Sequence, residues 1–184
     1  MTIVPRPTTV SGTKTYDGTT NVSSSNLTSF SNLAGSDTLS ISGTGTISSA
    51  DVGTGKSVNT SGITIDNSSG VGSNYTLSSA SVNVTKRVIS LNGVRAFDGT
   101  NNASSTDLSI SNLVSGENLT LSGSGTVPNA TVEMNKAITL GSLSVSDGSG
   151  GASSNYTLTG GSHTLDISQL SVNITGSRQY DGTK

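Results

Sequence analysis

Leu39-Ser40-Ile41-Ser42-Gly43-Thr44-Gly45-Thr46 returns 80 residues later as Leu119-Thr120-Leu121-Ser122-Gly123-Ser124-Gly125-Thr126. Each copy begins with alternating apolar and polar residues and continues into glycines. Such alternation is typical of a strand that places one face on a core and the other in water. Because the segment recurs at a fixed distance, the strand belongs to a repeated unit, and the repeat has to be established before anything else.

Further anchors on either side of this segment repeat with nearly the same spacing. Residues 29–46 match residues 109–126 at nine of 18 positions. A basic residue stands two positions before each aromatic of a recurring aromatic-Asp-Gly motif, at Lys14, Arg95 and Arg178. The recurring motif residues are Tyr16, Asp17 and Gly18; Phe97, Asp98 and Gly99; Tyr180, Asp181 and Gly182; and the pairs Asn74-Tyr75 and Asn155-Tyr156. Units of about 80 residues are large enough to hold a small core.

These anchors predict the domain organisation. A first repeat is expected over residues 3–83 and a second over 84–166. Residues 167–184 are expected to form either the opening strand and turn of a third repeat or the closing strand of the second. A strand is predicted to run from Val84 to Phe97, from one unit into the next, with equivalents at the start and the end of the chain.

Alternation within each unit predicts an all-β fold. The alternating segments are 39–41, 63–65, 82–84, 119–121, 143–145 and 170–174. Gly, Asn, Asp and Ser separate them every 8 to 12 residues, which indicates turns. Helix is at most marginal, in the Asn- and Ser-rich stretches 20–32 and 101–112. The sequence therefore predicts two tandem small β-domains, β-sandwich-like or β-grasp-like, in an elongated arrangement.

The composition excludes several functional classes. Serine (37) and threonine (27) fill 64 of 184 positions, and there is no cysteine, so neither a disulfide framework nor a thiolate metal site is available. The net charge of −2 does not suit a nucleic-acid binder. No apolar run is long enough for membrane insertion, and the first residues lack the features of a signal peptide. Apolar Leu, Ile, Val and Phe make up about 22%, close to the level at which disorder becomes the default, so the order of the residues decides that the chain folds.

The motifs that could indicate catalysis or the binding of phosphate or metal are weak. Residues 50–57, Ala-Asp-Val-Gly-Thr-Gly-Lys-Ser, fit a relaxed phosphate-binding loop, but a strand pattern follows where that loop needs a helix. A hairpin turn is the better interpretation of this segment. His163 is the only histidine, and Asp37, Asp51 and Asp66 are too widely spaced for a calcium loop. We therefore expect no enzyme, no catalytic residue, no metal and no cofactor.

Asn-x-Ser/Thr sequons occur in excess. They lie at Asn21, Asn26, Asn59, Asn67, Asn74, Asn83, Asn102, Asn118, Asn129, Asn155 and Asn173. One interpretation is an N-glycosylated extracellular surface. The other is simple β-alternation, which places Asn and a hydroxyl residue two positions apart on one polar strand face.

The anchors together resemble the YDG-type repeat domain of large bacterial surface proteins. Segments 16–20, 35–45, 51–58, 61–65 and 74–77 carry the resemblance, which covers essentially the whole chain. The second repeat departs from the pattern at 127–137, where the Val-Gly-Thr-Gly-Lys signature is gone, and at Phe97, which replaces the tyrosine. The resemblance brings no catalytic residues with it.

Such proteins are similar to filamentous-haemagglutinin-like adhesins, which are exported through a dedicated outer-membrane partner. The resemblance implies a secreted, cell-surface location and a stalk of repeats that projects a distal binding region, with neighbouring repeats of the same polypeptide as the main partners. We expect a monomer with no nucleic-acid partner. The alternative is that the repeats themselves bind a host glycan or protein receptor, with Tyr75 and Tyr156 available to stack on sugars.

Overall fold

The computed structural model describes residues 2–182, and within them the chain is all-β, as predicted. It contains strands joined by turns and four single-turn 3₁₀ helices, and no α-helix occurs between residues 2 and 182. Two of the 3₁₀ turns, Ser24–Asn26 and Ser105–Asp107, fall in the stretches where the sequence makes helix marginal. No helix in this part of the chain has the length and apolarity that a membrane span requires.

The first repeat folds into two sheets. Its strands are β1 (Arg6–Thr15), β2 (Asn21–Ser23), β3 (Leu27–Ser31), β4 (Leu39–Thr46), β5 (Gly53–Ser57), β6 (Ile63–Asn67) and β7 (Tyr75–Thr85). One sheet has the order β3-β1-β7-β5, and the other has the order β2-β4-β6. The long segment that carries the second sheet lies between β1 and β7 in sequence, which is why these two strands can pair in parallel. Their alternating residues Val10, Val82 and Val84 are buried.

The second repeat reproduces this arrangement with shorter strands. They are β8 (Arg87–Val88), β9 (Ser90–Ala96), β10 (Asn102–Ser104), β11 (Leu108–Ser111), β12 (Leu119–Ser122), β13 (Ser124–Thr126), β14 (Glu133–Ala137), β15 (Ser144–Asp147), β16 (Tyr156–Thr157) and β17 (His163–Ser168). Its four-stranded sheet, β11-β9-β17-β14, has the same order as that of the first repeat. Leu91, Leu165 and Ile167 are buried on β9 and β17.

The contacts divide the chain into two compact units whose limits differ from those of the repeats. The first unit comprises residues 1–89, 112–120 and 145–161, and the second comprises 90–111, 121–144 and 162–184. The first unit therefore contains the whole first repeat together with two segments of the second. This grouping matters because the candidate site lies inside the first unit.

The segment that fitted a phosphate-binding loop is not the hairpin turn that the sequence predicts. Residues 53–57 form β5, which pairs antiparallel with β7 and carries a β-bulge between Gly53 and Lys56. The bulge turns through Gly55 at φ 61°, and the Lys56 ammonium donates to the Ser49 carbonyl oxygen at 2.9 Å. One extra residue in the strand, and not a reversal of the chain, explains the glycines here.

The second repeat keeps this lysine bulge although its glycines are lost. Asn135 takes the left-handed conformation, at φ 56°, and the buried Lys136 donates to the Asn129 carbonyl oxygen at 3.2 Å. Asparagine tolerates the left-handed region better than other residues that carry a Cβ. The departure of 127–137 from the sequence pattern therefore leaves the local structure intact.

Two strand predictions are wrong. The strand expected from Val84 to Phe97 is interrupted at Lys86 and again at Ile89, so that β7, β8 and β9 are separate. Residues 170–174 alternate like a strand but form none, and Leu170, Val172 and Ile174 are exposed. Their equivalent, β1, lies between β3 and β7, both of which follow it in the chain. Within residues 2–182 no strand pairs with 170–174, and a strand without partners is not stable.

Candidate functional site

The Tyr16-Asp17-Gly18-Thr19 motif forms a turn that is closed by a buried lysine. The Lys14 ammonium donates to the Thr19 carbonyl at 2.8 Å and to the Asn21 carbonyl at 2.5 Å, and it pairs with Asp17 at 2.8 Å. Asp17 also accepts the Thr19 backbone N–H at 2.9 Å, and Gly18 adopts φ 75°. The basic residue and the Asp-Gly pair thus act together to hold the conformation of the turn.

The second copy of the motif has the same local geometry. Thr100 N donates to Asp98 at 2.8 Å, Gly99 adopts φ 80°, and Arg95 replaces the lysine, pairing with Asp98 and donating to the Thr100 carbonyl at 2.5 Å. The aromatic residues differ in environment, because Tyr16 is 5% exposed and Phe97 is 38% exposed. The third copy, Tyr180-Asp181-Gly182, lies in exposed chain where Asp181 pairs with Arg178.

Tyr16 is buried because it belongs to a polar cluster within the first compact unit. Its hydroxyl donates to Glu117 Oε1 at 2.5 Å, and the Tyr156 hydroxyl donates to Glu117 Oε2 at 2.7 Å. Val114 N donates to the Tyr156 hydroxyl at 3.1 Å, and the two rings meet edge to face with centroids 5.4 Å apart. One carboxylate therefore joins the turn of the first repeat to the Asn-Tyr motif of the second.

A second set of hydrogen bonds lies beside these tyrosines. Asn155 is 1% exposed; its amide nitrogen donates to Asp51 Oδ1 at 2.9 Å, and its amide oxygen accepts from Val52 N at 2.9 Å. Ser49 Oγ donates to the other oxygen of Asp51 at 2.6 Å. Both polar atoms of the Asn155 side chain thus find partners in the first repeat, as buried polar groups require.

Close backbone approach completes the contact. A Cβ placed on Gly18 would lie 2.8 Å from Val114 Cγ1, so the absence of a side chain lets the turn reach the segment that carries Glu117. We call Tyr16, Asp51, Glu117, Asn155 and Tyr156 the junction cluster. Its chemistry is that of recognition, since every group in it is engaged in holding another part of the protein.

Residues 2–182 include the segments that the sequence raised for metal, histidine and phosphate chemistry. No group of His, Cys, Asp and Glu that could hold a metal ion occurs among these residues. The ring nitrogen Nδ1 of His163 accepts the Leu91 backbone N–H at 3.2 Å, so this histidine joins β17 to β9. The phosphate-binding interpretation fails because β5 is followed by β6 and not by a helix.

Burial and hydrogen bonding shift the acidities in the junction cluster. Burial raises the pKa of the Tyr16 hydroxyl, and the adjacent Glu117 raises it further. Burial and Glu117 raise the pKa of Tyr156 in the same way. Hydrogen bonds from Ser49 and Asn155 lower the pKa of Asp51. The cluster is therefore built for neutral tyrosines and an ionised aspartate.

These shifts predict a loss of stability at alkaline pH. The ordinary tyrosine pKa is 10.0, and those of Tyr16 and Tyr156 are higher in the folded chain. Above pH 10 the unfolded chain therefore releases these protons while the folded chain retains them, so that the free energy of unfolding falls as pH rises. Urea unfolding at pH 8 to 11 measures this, and the Tyr16→Phe variant should show a shallower decline. An equal slope in the variant and the parent would contradict the assignment.

Sequence reasoning finds part of this cluster. Recurrence identifies Tyr16, Asn155 and Tyr156, but it misses Glu117 and the pairing role of Asp51. A signal is available for Glu117, because the offset of 80 residues places it opposite Asp37, so that both repeats have a carboxylate at this position. The remaining motif residues of the first repeat are Tyr75, which is buried, and Asn74, which is exposed.

The sequons occupy different environments. Asn155 is buried and fully hydrogen-bonded in the junction cluster, so its amide is not presented to solvent. Asn26 is half-buried and is the last residue of the 3₁₀ turn Ser24–Asn26. The other nine predicted positions are exposed, and glycosylation at them stays a prediction: Asn21, Asn59, Asn67, Asn74, Asn83, Asn102, Asn118, Asn129 and Asn173.

Comparison with known proteins agrees with the repeat structure. The YDG domain family matches residues 2–82 and again residues 83–165, which together make up most of the chain. No curated protein and no solved structure gave a match. Two successive matches, each about 80 residues long and each containing one folded aromatic-Asp-Gly turn, identify this chain as a member of the YDG domain family that carries two tandem copies of the domain.

Proposed function

We propose that these tandem domains are stalk or spacer repeats of a secreted bacterial adhesin, which project a distal binding region from the cell surface. The observation that carries the proposal is the junction cluster. In it Tyr16 of the first repeat donates to Glu117 of the second and packs edge to face on Tyr156, and Asp51 accepts a hydrogen bond from Asn155. Repeats whose stability includes a contact with the neighbouring repeat suit a load-bearing array that lengthens by adding copies.

The surface chemistry supports the same role. The outward positions of the strands are mostly Ser, Thr and Asn, and the net charge is only −2. A neutral hydroxyl surface keeps a long polymer in water without attracting charged partners. Under this proposal the parent protein uses an outer-membrane secretion partner, and the chain itself is a monomer whose partners are neighbouring repeats.

Small-angle scattering tests the spacer role. A stalk segment is expected to give an elongated particle in dilute solution, with a maximum dimension that increases when copies are added. A scattering profile that fits a compact sphere of the same mass would contradict the proposal.

A glycan array and a cell-binding assay with the whole chain test the alternative of receptor binding. We expect no reproducible binding, because the rings of Tyr75 and Tyr156 are buried and offer no face to a sugar. Specific binding that free chain competes away would replace the spacer function with receptor recognition. A variant with a disrupted junction cluster, Tyr16→Phe, is the matched control, since it leaves the exposed strand faces unchanged.

A further inference from the structure

The first repeat contains a copy of the junction cluster that has no turn docked on it. The Tyr75 hydroxyl donates to Asp37 Oδ2 at 2.6 Å and accepts from Ala34 N at 3.0 Å. These bonds match those of Tyr156 with Glu117 at 2.7 Å and with Val114 N at 3.1 Å. We call Ala34, Asp37, Asn74 and Tyr75 the acceptor face.

The local backbone of the acceptor face is the same as that of its occupied counterpart. A backbone bond from Asp37 N to the Ala34 carbonyl, 3.0 Å long, closes the turn that carries the carboxylate. The bond from Glu117 N to the Val114 carbonyl, 3.1 Å long, does so in the second repeat. The carboxylate and the tyrosine are thus held in place before any partner arrives, which reduces the entropic cost of docking.

What differs is the occupancy of the remaining polar atoms. Glu117 accepts one tyrosine hydroxyl on each oxygen, whereas among the described residues Asp37 accepts a side-chain hydrogen bond only on Oδ2. Asn155 is buried against Asp51 and Val52, whereas its equivalent Asn74 is exposed. In the second repeat, Tyr16 occupies one oxygen of Glu117, and Asp51 and Val52 satisfy Asn155. In the first repeat, the corresponding groups, Asp37 Oδ1 and the Asn74 side chain, are left to solvent.

Two shallow depressions lie beside the acceptor face. One depression of about 420 Å³ is lined by residues that include Ile65, Gly72 and Tyr75. Another, of about 360 Å³, is lined by residues that include Leu33 and Thr38, which flank the Ala34–Asp37 turn. Side chains of a docking turn therefore have apolar and polar surface to contact next to Tyr75 and next to the Ala34–Asp37 turn.

The second repeat holds a folded turn of the complementary kind. Phe97 N donates to the Ser168 carbonyl at 2.9 Å, just as Tyr16 N donates to the Thr85 carbonyl at 2.9 Å. The turn that follows Phe97 has the Asp98 and Gly99 geometry described above. Its aromatic ring is more than one-third exposed, whereas that of Tyr16 is covered by the junction cluster.

We propose that the acceptor face is a docking site for the aromatic-Asp-Gly-Thr turn of a second copy of this chain joined at its N-terminal side. The occupant is specified by the junction cluster, because a carboxylate and an Asn-Tyr pair in the corresponding positions already hold such a turn there. Covalent linkage supplies the high effective concentration that a contact of this size needs. The proposal does not depend on the array being part of an adhesin.

A head-to-tail fusion tests the proposal with whole repeats. Residues 1–168 of one copy are followed directly by residues 5–184 of the next. This junction retains β17 and leaves one residue between the last strand of the first copy and the first strand of the second, just as one residue separates Thr85 from Arg87 in the chain. The readout is amide hydrogen exchange at Ala34 of the second copy. We expect exchange there to slow at least about tenfold relative to the unlinked chain.

Substitution at Phe97 of the first copy provides the matched series. Phe97→Tyr adds a hydroxyl able to reach the second oxygen of Asp37, and Phe97→Ser removes the ring. Protection at Ala34 should be lowest in the Phe97→Ser fusion, higher in the parent fusion and highest in the Phe97→Tyr fusion. Equal exchange in all three fusions, or exchange equal to that of the unlinked chain, would overturn the proposal. Should the Phe97→Ser variant fail to fold as a single chain, the comparison between the parent fusion and the Phe97→Tyr fusion still decides, since it needs only a gain in protection.

Discussion

Gly12→Ala is expected to destabilise the chain by about 3 kcal/mol or more, because a Cβ at this position has no space at all. It would lie 1.7 Å from the Asn26 carbonyl oxygen and 2.7 Å from the carbonyl carbon. Both are backbone atoms that precede β3, and Gly12 itself sits where the register between β1 and β3 shifts. Relief requires the two strands to separate, which breaks pairing in the four-stranded sheet.

The repeat supplies an internal replicate of this experiment. Gly93 lies at the equivalent place in β9, and a Cβ there would lie 2.0 Å from the Asp107 carbonyl oxygen. Gly93→Ala should therefore have an effect of similar size. Gly176→Ala is the control, since no atom lies within 4 Å of its Cβ position, and we expect a change within about 0.5 kcal/mol.

Urea unfolding followed by circular dichroism measures all three variants. A Gly12→Ala midpoint equal to that of the parent would mean that β1 and β3 do not approach each other as described. An equal loss in Gly176→Ala would contradict the clash as the cause, because that position has open space and alanine's effect on the unfolded chain is stabilising.

The elements that the sequence predicts well are those determined by local pattern. Alternation at 39–41, 63–65 and 82–84 depends only on neighbouring residues, and each of these segments lies in a strand. The aromatic-Asp-Gly motif, which recurs after 81 residues, likewise predicts a turn, because the aspartate and glycine of the motif themselves determine the turn's conformation.

The failures occur where stability depends on distant partners. Residues 170–174 have the same alternation, but a strand requires neighbours to pair with, and within the described part of the chain no strand pairs with this segment. Asn135 shows the opposite case, since the glycine signature is gone and the lysine bulge persists because asparagine accepts the required φ. In neither case does the local sequence pattern show what determines the structure, which is the presence of pairing strands for 170–174 and the φ that asparagine accepts at residue 135.

The junction cluster is only partly predictable from the sequence for a related reason. Glu117 is 101 residues from Tyr16 in sequence, and Asp51 is 104 residues from Asn155. No local periodicity reports a contact of that kind. Only the alignment of Asp37 with Glu117 across the repeats indicates that this carboxylate has a fixed task.

Tyr156→Ala is expected to cost about 3 to 5 kcal/mol of unfolding free energy, the largest effect in the junction cluster. The side chain is 2% exposed, and its removal would leave a cavity beside the Tyr16 ring. Tyr156→Phe keeps the ring but removes the hydroxyl, so that Val114 N loses its acceptor and Glu117 loses a donor. Leaving these groups unsatisfied is expected to cost about 1 to 3 kcal/mol.

Tyr75→Phe distinguishes the stability that the docked turn adds from the stability that the local hydrogen bonds provide. It removes the same two kinds of hydrogen bond, to Asp37 and from Ala34 N, at a tyrosine that has no docked turn. The excess loss in Tyr156→Phe over Tyr75→Phe therefore measures what docking adds to the hydroxyl. A double-mutant cycle between Tyr16→Phe and Tyr156→Phe measures the coupling through Glu117, which we expect to be about 0.5 to 3 kcal/mol.

Guanidinium unfolding of the four single variants and of the two double mutants, which combine Tyr16→Phe with Tyr156→Phe or with Tyr75→Phe, gives these free energies directly. Additive losses for Tyr16→Phe and Tyr156→Phe would mean that the shared carboxylate does not link the two tyrosines, whatever the size of each single effect. Equal losses for Tyr75→Phe and Tyr156→Phe would carry the same meaning. If Glu117 joins the turn of one repeat to the tyrosine of the next, the losses of Tyr16→Phe and Tyr156→Phe should depart from additivity. The losses of Tyr16→Phe and Tyr75→Phe, which share no hydrogen-bond partner, should add.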